Sequence, residues 1–358
     1  MTARSLSTDT TETLQARIRE AAATRSPLCI RGGGSKDFLG REPRGARLDV
    51  ACHRGIVNYQ PAELVLTVRA GTPLSEVEQL LAEHGQMLPF EPPGFGDSAT
   101  IGGVVACGLS GPRRPFCGAL RDFVLGVRCI NGRGEVLRFG GEVVKNVAGF
   151  DAARLMAGAL GTLGVLLEIS FKILPRPASD LTLCFEMDAA DAIQQLSRWM
   201  SSSLPLSAAS HHDGRLRLRL SGTPEAVTAA HRSLGGEILA GGDDYWRRLR
   251  EHQLEFFGPA EPLWRLSLPA ATPPLPVVGD WLLDWGGAQR WLRTALPPAI
   301  VRATAARAGG HATLFRHGDR EGSVFHPLPP ALLEVHRQLK LAFDPHRILN
   351  PGRLYPEL

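Results

Sequence analysis

The sequence is short of the features that mark several large protein classes. Among 358 residues, Lys+Arg number 40 against 36 Asp+Glu, a net charge of only +4, and the basic residues are scattered rather than banded. That argues against nucleic acid as a main partner and leaves positive side chains to serve anionic ligands one at a time. The six cysteines (Cys29, Cys52, Cys107, Cys117, Cys129, Cys184) form no Cys-x-x-Cys pair and no zinc or iron–sulfur spacing. No metal site is expected, and reduced thiols in a cytoplasmic protein are the simplest reading. The first ten residues hold no apolar signal core, and no later segment approaches the length of a membrane span. Contact with a membrane is expected only peripherally, at its inner face, through a partner.

Glycine, by contrast, is concentrated. Residues 98–111, Ser-Ala-Thr-Ile-Gly-Gly-Val-Val-Ala-Cys-Gly-Leu-Ser-Gly, place four glycines in a run otherwise apolar enough to be buried. Unencumbered amides and permissive dihedrals suit the phosphates of a dinucleotide or the edge of a flavin, although packing alone also uses such glycines. Upstream, Pro27-Leu-Cys-Ile-Arg31 reads as a short strand running into Gly32, Gly33 and Gly34, with Ser35 and Lys36 beside them. This is a nest of N–H groups next to a hydroxyl and an ammonium, as a pyrophosphate requires, or else a flexible turn. It lacks the spacing of a Walker A loop. Residues 94–99, Gly-Phe-Gly-Asp-Ser-Ala, match a Rossmann fingerprint in letters only, because Pro89, Pro92 and Pro93 stand where its strand should be. A third group, Gly158-Ala-Leu-Gly161-Thr-Leu-Gly164, precedes a strand that ends at Leu174-Pro-Arg-Pro177.

Around these motifs the pattern gives helices at 10–23, 74–84 and 152–160. Strands are expected at 47–50, 56–59, 64–70, 123–130 and 135–139, the last two as a hairpin. From Ser179 glycine thins out, and 181–187, 189–200, 215–220 and 224–234 read as strand, helix, strand, helix, an α+β layer. Two passages, Asp244-Tyr-Trp-Arg-Arg-Leu-Arg250 and Leu263-Trp-Arg-Leu266, mix aromatics with arginine. They read either as faces for a carboxylate or as a solvated helix face and a strand edge. His211 and His212 fall in an expected turn and, pointing apart, are not expected to share a metal.

Taken together, Ile30 to Lys36, Ala99-Thr-Ile-Gly-Gly103, Arg121-Asp122 and Asp151 to Glu168 resemble the flavin region of FAD-linked oxidases of the vanillyl-alcohol-oxidase or p-cresol-methylhydroxylase type. Phe343-Asp-Pro-His-Arg-Ile-Leu-Asn-Pro-Gly-Arg353 is similar to the closing motif of its glycolate and D-lactate branch. Phe90-Glu-Pro-Pro, Gly108-Leu-Ser-Gly-Pro-Arg-Arg, Arg138-Phe-Gly-Gly, Lys145-Asn-Val-Ala-Gly-Phe-Asp, Asp284-Trp-Gly-Gly-Ala and Gly310-His-Ala-Thr-Leu-Phe-Arg316 resemble the short FAD-binding E-type subunits of bacterial glycolate oxidases.

The resemblance implies an α+β fold. A two-subdomain FAD-binding domain of the p-cresol-methylhydroxylase type would span 1–177, with its internal boundary near 50–55. A smaller α+β cap or substrate domain would follow at 178–330, and 331–358 would return to the flavin. It implies FAD held by Arg31, Gly32, Gly33, Gly34, Ser35 and Lys36, by Ala99, Thr100, Ile101, Gly102, Gly103, Gly108 and Ser110, by Arg121 and Asp122, by Gly161, Leu163, Gly164 and Val165, and by Asn350. The first glycine loop holds no histidine, so the FAD is expected to be non-covalent, with Cys117 the residue to watch. A small 2-hydroxy acid is the implied substrate, with His311 and Arg316 as candidate catalytic groups. The implied partners are a longer FAD-containing glycolate oxidase subunit and an iron–sulfur subunit; the competing expectations are a relay or assembly role beside the longer subunit, or a stand-alone FAD-linked alcohol or 2-hydroxy-acid oxidase.

Overall fold

A computed structural model describes residues 7–141 and 152–358. The first unit starts with the helix Thr11–Thr24, whose Leu14, Ile18 and Ala21 form one buried stripe. That stripe packs on Leu28, Leu48 and Val50, which come from and follow the parallel strands Leu28–Arg31 and Ala46–Asp49. A five-stranded antiparallel sheet follows, ordered Ile56–Gln60, Val65–Arg69, Val165–Lys172, Val124–Ile130, Val136–Gly140. Its central strand Val165–Lys172 is buried on both faces except at Glu168 and Lys172, and its apolar residues therefore do not alternate. Val165 and Leu167 meet the N-terminal unit, while Leu166, Ile169 and Phe171 join a core under the helices Leu74–Glu83 and Ile101–Cys107.

A second sheet has eight strands, ordered Glu237–Ile238, Ser179–Glu186, Arg215–Gly222, Leu206–His212, Asp280–Asp284, Gln289–Arg293, Leu263–Ser267, His311–Arg316. Numbered within each half by position in the chain, this is 4-1-3-2 followed by its mirror 2-3-1-4. Two split βαβ units therefore join edge to edge, at His211 opposite Leu283. The first half carries both of its helices, Ala189–Met200 and Pro224–Leu234, whereas the second carries only Pro298–Arg307. Pro269, Pro273, Pro274 and Pro276 occupy the connection where the other helix would be, and proline removes the donors a helix needs. The strict alternation of Arg215–Gly222 places Leu216, Leu218 and Leu220 under the helices. The opposite face, with Trp246, Leu263, Trp291 and Phe315, packs against Leu39, Leu109 and Leu160 of the glycine-rich part.

Three expectations change. His211 and His212 end a strand, Leu206–His212, rather than forming a turn; its small residues Ala208 and Ala209 are fully buried, so no apolar alternation announced it. The helix at 152–160 shrinks to one short turn, Ala152–Met156, because Gly158, Leu160 and Gly161 all take left-handed backbone angles. Residues Leu263–Ser267 form an interior strand, hydrogen-bonded on both sides, not an edge. The motif Lys145 to Asp151 lies outside the described residues.

After the helix Pro330–Phe343 the chain threads back to its beginning. The Leu28 N–H donates to Ile348 O (2.7 Å), and Asn350 N–H to Leu28 O (3.0 Å). Holding this return is a fully buried ion pair, Lys340 Nζ to Asp344 Oδ2 at 2.7 Å. Lys340 also donates to Thr162 O and Leu349 O, and Asp344 accepts from the amides of Ile348 and Leu349. Every charge-bearing atom of the pair is thus satisfied, the condition under which a buried pair is tolerated. Asp344→Ala is expected to lower the unfolding free energy by about 3–5 kcal/mol by stranding the ammonium. Adding Lys340→Met should restore part of that loss, as read by urea denaturation of both variants.

Candidate functional site

The main cleft lies where the three glycine-bearing segments converge. Its walls include Ile30 to Asp37, Thr100, Gly102, Gly103, Cys107, Gly161, Gly164, Asn350 and Arg353. The first segment leaves the strand Leu28–Arg31 and turns without regular structure. None of the backbone N–H groups of Gly32, Gly33, Gly34, Ser35 and Lys36 has an acceptor among the described residues. Five such donors in succession form an anion-binding concavity. Lys36 is 7% exposed, and its Nζ reaches only Gly94 O (3.1 Å) and Ser35 Oγ (3.4 Å), with no carboxylate near enough to pair. Burial pulls the ammonium below its ordinary value, a cost that an anion in the cleft would offset. At the mouth, Arg31 pairs with Asp37 at 2.6 Å.

Close approach explains why glycine is needed here. A Cβ on Gly33 would sit 1.4 Å from Ser98 O, and one on Gly32 would sit 2.4 Å from Thr100 Oγ1. The first loop therefore rests directly on residues 98–100. Thr100 also caps the helix Ile101–Cys107, its hydroxyl accepting from Gly103 N–H. Gly102 fits against Ala70, whose carbonyl accepts its N–H at 2.7 Å. Gly161 takes φ 74°, and a Cβ there would strike Asn350 Nδ2. Asn350 itself ties two walls together, accepting from Ile30 N–H (2.7 Å) and donating to Leu160 O (2.7 Å).

Of the residues singled out in sequence, Arg31 to Lys36, Thr100, Gly102, Gly103, Gly161, Gly164 and Asn350 meet at this cleft. Others stand behind it or away from it. Ala99, Ile101 and Leu163 are buried in the main core, and Val165 in the N-terminal one. Gly108 ends the helix in left-handed geometry against Gly158. Ser110 Oγ accepts from Leu120 N–H. Arg121 and Asp122 are largely exposed, and Asp122 caps its own short turn through Ala119 N–H. His311 is exposed and Arg316 covers the rings of Phe38 (4.0 Å) and Phe95 (4.7 Å); neither lines the cleft. The thiol of Cys117 points to Pro89 O (3.1 Å) and is pushed up to about 11 by burial. The cysteines on the cleft are Cys29 and Cys107, the latter also raised to about 11 by burial.

A smaller cavity of about 20 Å³ opens between the large sheet and residues 109–112. Arg265, Asp284, Gln289, His252 and Ser110 contribute to its walls. Arg265 Nε donates to Gln289 Oε1 (2.5 Å), and Gln289 Nε2 to Asp284 Oδ2 (2.9 Å). Asp284 Oδ1 accepts from Trp285 N–H, and Trp285 Nε1 donates to Gly111 O (2.9 Å), which joins the sheet to the loop. Burial raises the Asp284 carboxyl to about 7, against the opposing pull of these donors and of Arg265. The sequence gave no periodic signal for this cluster, although Asp284 begins the Asp-Trp-Gly-Gly-Ala motif. Glu91, in the proline-rich passage, carries no local signal of a role either. It accepts from Arg219 at 2.9 and 3.0 Å and from Arg113, joining the large sheet to the glycine-rich part.

Comparison with known proteins agrees with this arrangement. Residues 5–140 match the FAD binding domain model, and 326–354 match that of the FAD linked oxidases' C-terminal domain. Glycolate oxidase subunit GlcE of Escherichia coli is 50% identical over 98% of this chain and 99% of its own length. A D-lactate dehydrogenase of Archaeoglobus fulgidus is 24% identical over 97% of this chain and 90% of its own. Among solved structures, p-cresol methylhydroxylase superposes with a TM-score of 0.71 at 15% identity, covering 97% of this chain and 87% of that one.

The raised Asp284 carboxyl has a consequence for stability. A carboxyl that ionises near 7 when folded but near its ordinary 3.8 when unfolded contributes stability that is complete below pH 3.8 and is lost as pH rises towards 7. Asp284→Asn is expected to lose less stability than the parent between those limits, as measured by thermal melts at fixed ionic strength.

Proposed function

The chain belongs to the family of glycolate oxidase E subunits within the FAD-linked oxidases, and on that premise we propose that it takes part in oxidising glycolate or a related 2-hydroxy acid to the 2-oxo acid. FAD is its cofactor. The observation that carries the reading is the row of five unpaired amides from Gly32 to Lys36 with a desolvated ammonium among them. These residues would hold the pyrophosphate, with Arg31 at the mouth. Thr100, Gly102 and Gly103 would pass beneath it, and Gly161, Gly164 and Asn350 would close the opposite wall. FAD supplies two-electron oxidation when bound; the chain's part is to position it and to exclude water.

A non-covalent cofactor is supported by two features. No histidine lines the cleft among the described residues, and the two thiols that do, Cys29 and Cys107, are both raised by burial, which keeps them protonated at neutral pH. Residues 1–177, with a boundary near 50–55, would form the flavin part, 178–330 the cap, and 331–358 the returning segment. The partners proposed are a longer FAD-containing subunit and an iron–sulfur subunit, with any membrane contact made through them. No helix of the described residues is long and apolar enough to cross a membrane.

One observation favours a second reading, in which this chain relays electrons or supports assembly. The acids on the main cleft are Asp37 and Glu42, and Asp37 is half exposed and paired with Arg31, so neither is poised as a base. The discriminating measurement is the visible spectrum of the purified chain, before and after anaerobic glycolate. The released flavin is expected to be FAD, free of protein after denaturation, and bleaching by glycolate without partners supports catalysis by this chain. Bleaching only when the longer subunit is present supports the relay. A colourless chain that takes up no FAD even with partners overturns the reading. Gly33→Ala is expected to retain less than about a tenth of the FAD, because its methyl cannot coexist with the Ser98 carbonyl.

A further inference from the structure

The large sheet turns an unusual surface towards the glycine-rich part. Arginines buried in a protein normally meet carboxylates, because an unpaired buried charge is costly. Arg219 does so through Glu91, and Arg250 through Glu78 (3.4 Å) and Glu251 (2.8 Å). Arg265 does not. It stands on an interior strand, opposite Trp291 and Thr313 in register, and its Nε is engaged by Gln289. Its two terminal nitrogens have no acceptor, and no carboxylate lies within pairing distance among the described residues. Asp284 is close enough to feel its field, but both carboxylate oxygens are already occupied by Trp285 N–H and Gln289 Nε2. Arg114, also half-buried, lies with its guanidinium 4.3 Å from the Trp285 ring centroid and has no carboxylate partner among the described residues. Arg265 lies 5.1 Å from the same ring. Two unpaired cations therefore share one indole.

The cavity that Arg265 faces contains a second unsatisfied group. His252, stacked on Phe257 at 3.9 Å, lines it with a buried Nδ1 that has no hydrogen-bond partner. A guanidinium fork and an imidazole nitrogen on one small cavity match a carboxylate and a neighbouring hydroxyl. At about 20 Å³ the enclosed part of the cavity takes one water-sized group, so a carboxylate can seat one oxygen there with the rest of the molecule in the mouth.

We propose that Arg265 is the carboxylate-holding residue of a small-acid site between the large sheet and residues 109–112, that Arg114 adds to its positive field, and that His252 Nδ1 meets the 2-hydroxyl of a two-carbon acid. Gln289 and Asp284 act as positioning residues, fixing the guanidinium through Nε so that its terminal nitrogens stay directed at the ligand. The site rests on the reading of this chain as a hydroxy-acid oxidase subunit and names the residues that would recognise that acid.

The test uses the full-length chain, with and without FAD, titrated with oxalate, a two-carbon acid that cannot be oxidised as an alcohol. Tryptophan fluorescence reports on Trp291, which lines the cavity, and on Trp285 beside Arg265, and the visible spectrum reports on the flavin where it is bound. Saturable quenching is expected in the parent, with affinity lowered about tenfold or more in Arg265→Gln and less in Arg265→Lys. Arg217→Gln, which removes a cation stacked on Tyr245 outside the cavity, should bind as the parent does. An unchanged FAD content in the Arg265 variants separates loss of the acid site from misfolding. Oxalate affinity unchanged in both Arg265 variants, or no saturable response in the parent, overturns the proposal. Should the chain bind no FAD yet lose oxalate quenching on Arg265→Gln, the acid site stands and the oxidase reading falls.

Discussion

The side chain of Asn350 is the point on which the cleft depends. Its amide group bonds to the strand before the first glycine loop and to the turn before Gly161, segments more than a hundred residues apart in sequence. It performs this from a left-handed backbone position, φ 43°. Asparagine is among the few non-glycine residues that tolerate that geometry. The position is imposed from behind by the Lys340–Asp344 pair, which organises residues 344–349 through three further hydrogen bonds and ties them to Thr162 O through a fourth. A polar core thus fixes what an apolar one could only approximate. Apolar packing would allow the returning segment to slide, whereas these hydrogen bonds fix it at set distances.

That constraint explains the distribution of glycine. Once the strand, the 98–103 passage and the 160–164 turn are held together, their backbones approach closely, and side chains beyond hydrogen become impossible at Gly32, Gly33, Gly102 and Gly161. The same closeness leaves the amides of residues 32–36 facing the cleft instead of a neighbouring strand. Donors without acceptors are costly in the empty protein and favourable once a phosphate is present. Lys36 follows the same logic, being too buried to be comfortable without an anion. Binding the cofactor is therefore coupled to stability, since a ligand that binds only the folded state shifts the folding equilibrium towards it.

Much of this was legible in the sequence because glycine leaves a mark that does not depend on long-range contacts. The strand into Gly32–Gly34, the Thr100–Gly103 passage and Asn350 were all readable as parts of one site. What was not readable came from tertiary context. Ile101 and Leu163 sit within the same motifs as cleft residues, yet their side chains turn into the core, a distinction that spacing alone does not make. The strand Leu206–His212 was hidden because alanine and serine, small enough to fit between neighbours in mid-sheet, carry no hydrophobic period. Glu91 was obscured by its prolines; its importance arises only when Arg219, 128 residues away, is brought to it.

Two sets of cations now confront each other across the junction of the sheets, and their difference is informative. Arg219, Arg250 and Arg113 are neutralised by carboxylates, and the pairs Arg219–Glu91, Arg250–Glu78 and Arg113–Asp180 join the second half of the chain to the glycine-rich part. Lys36, Arg265 and Arg114 have no such partners among the described residues. Were their role only to join the two parts, carboxylates opposite them would do it better, as the first set demonstrates within the same interface. Unpaired cations are instead what two successive anionic ligands would require: one lying along the glycine loops, and one small enough to enter beside Trp285. Neutralising each cation from outside lets the protein discriminate by charge, because a neutral molecule of the same shape would leave the desolvation cost unrelieved.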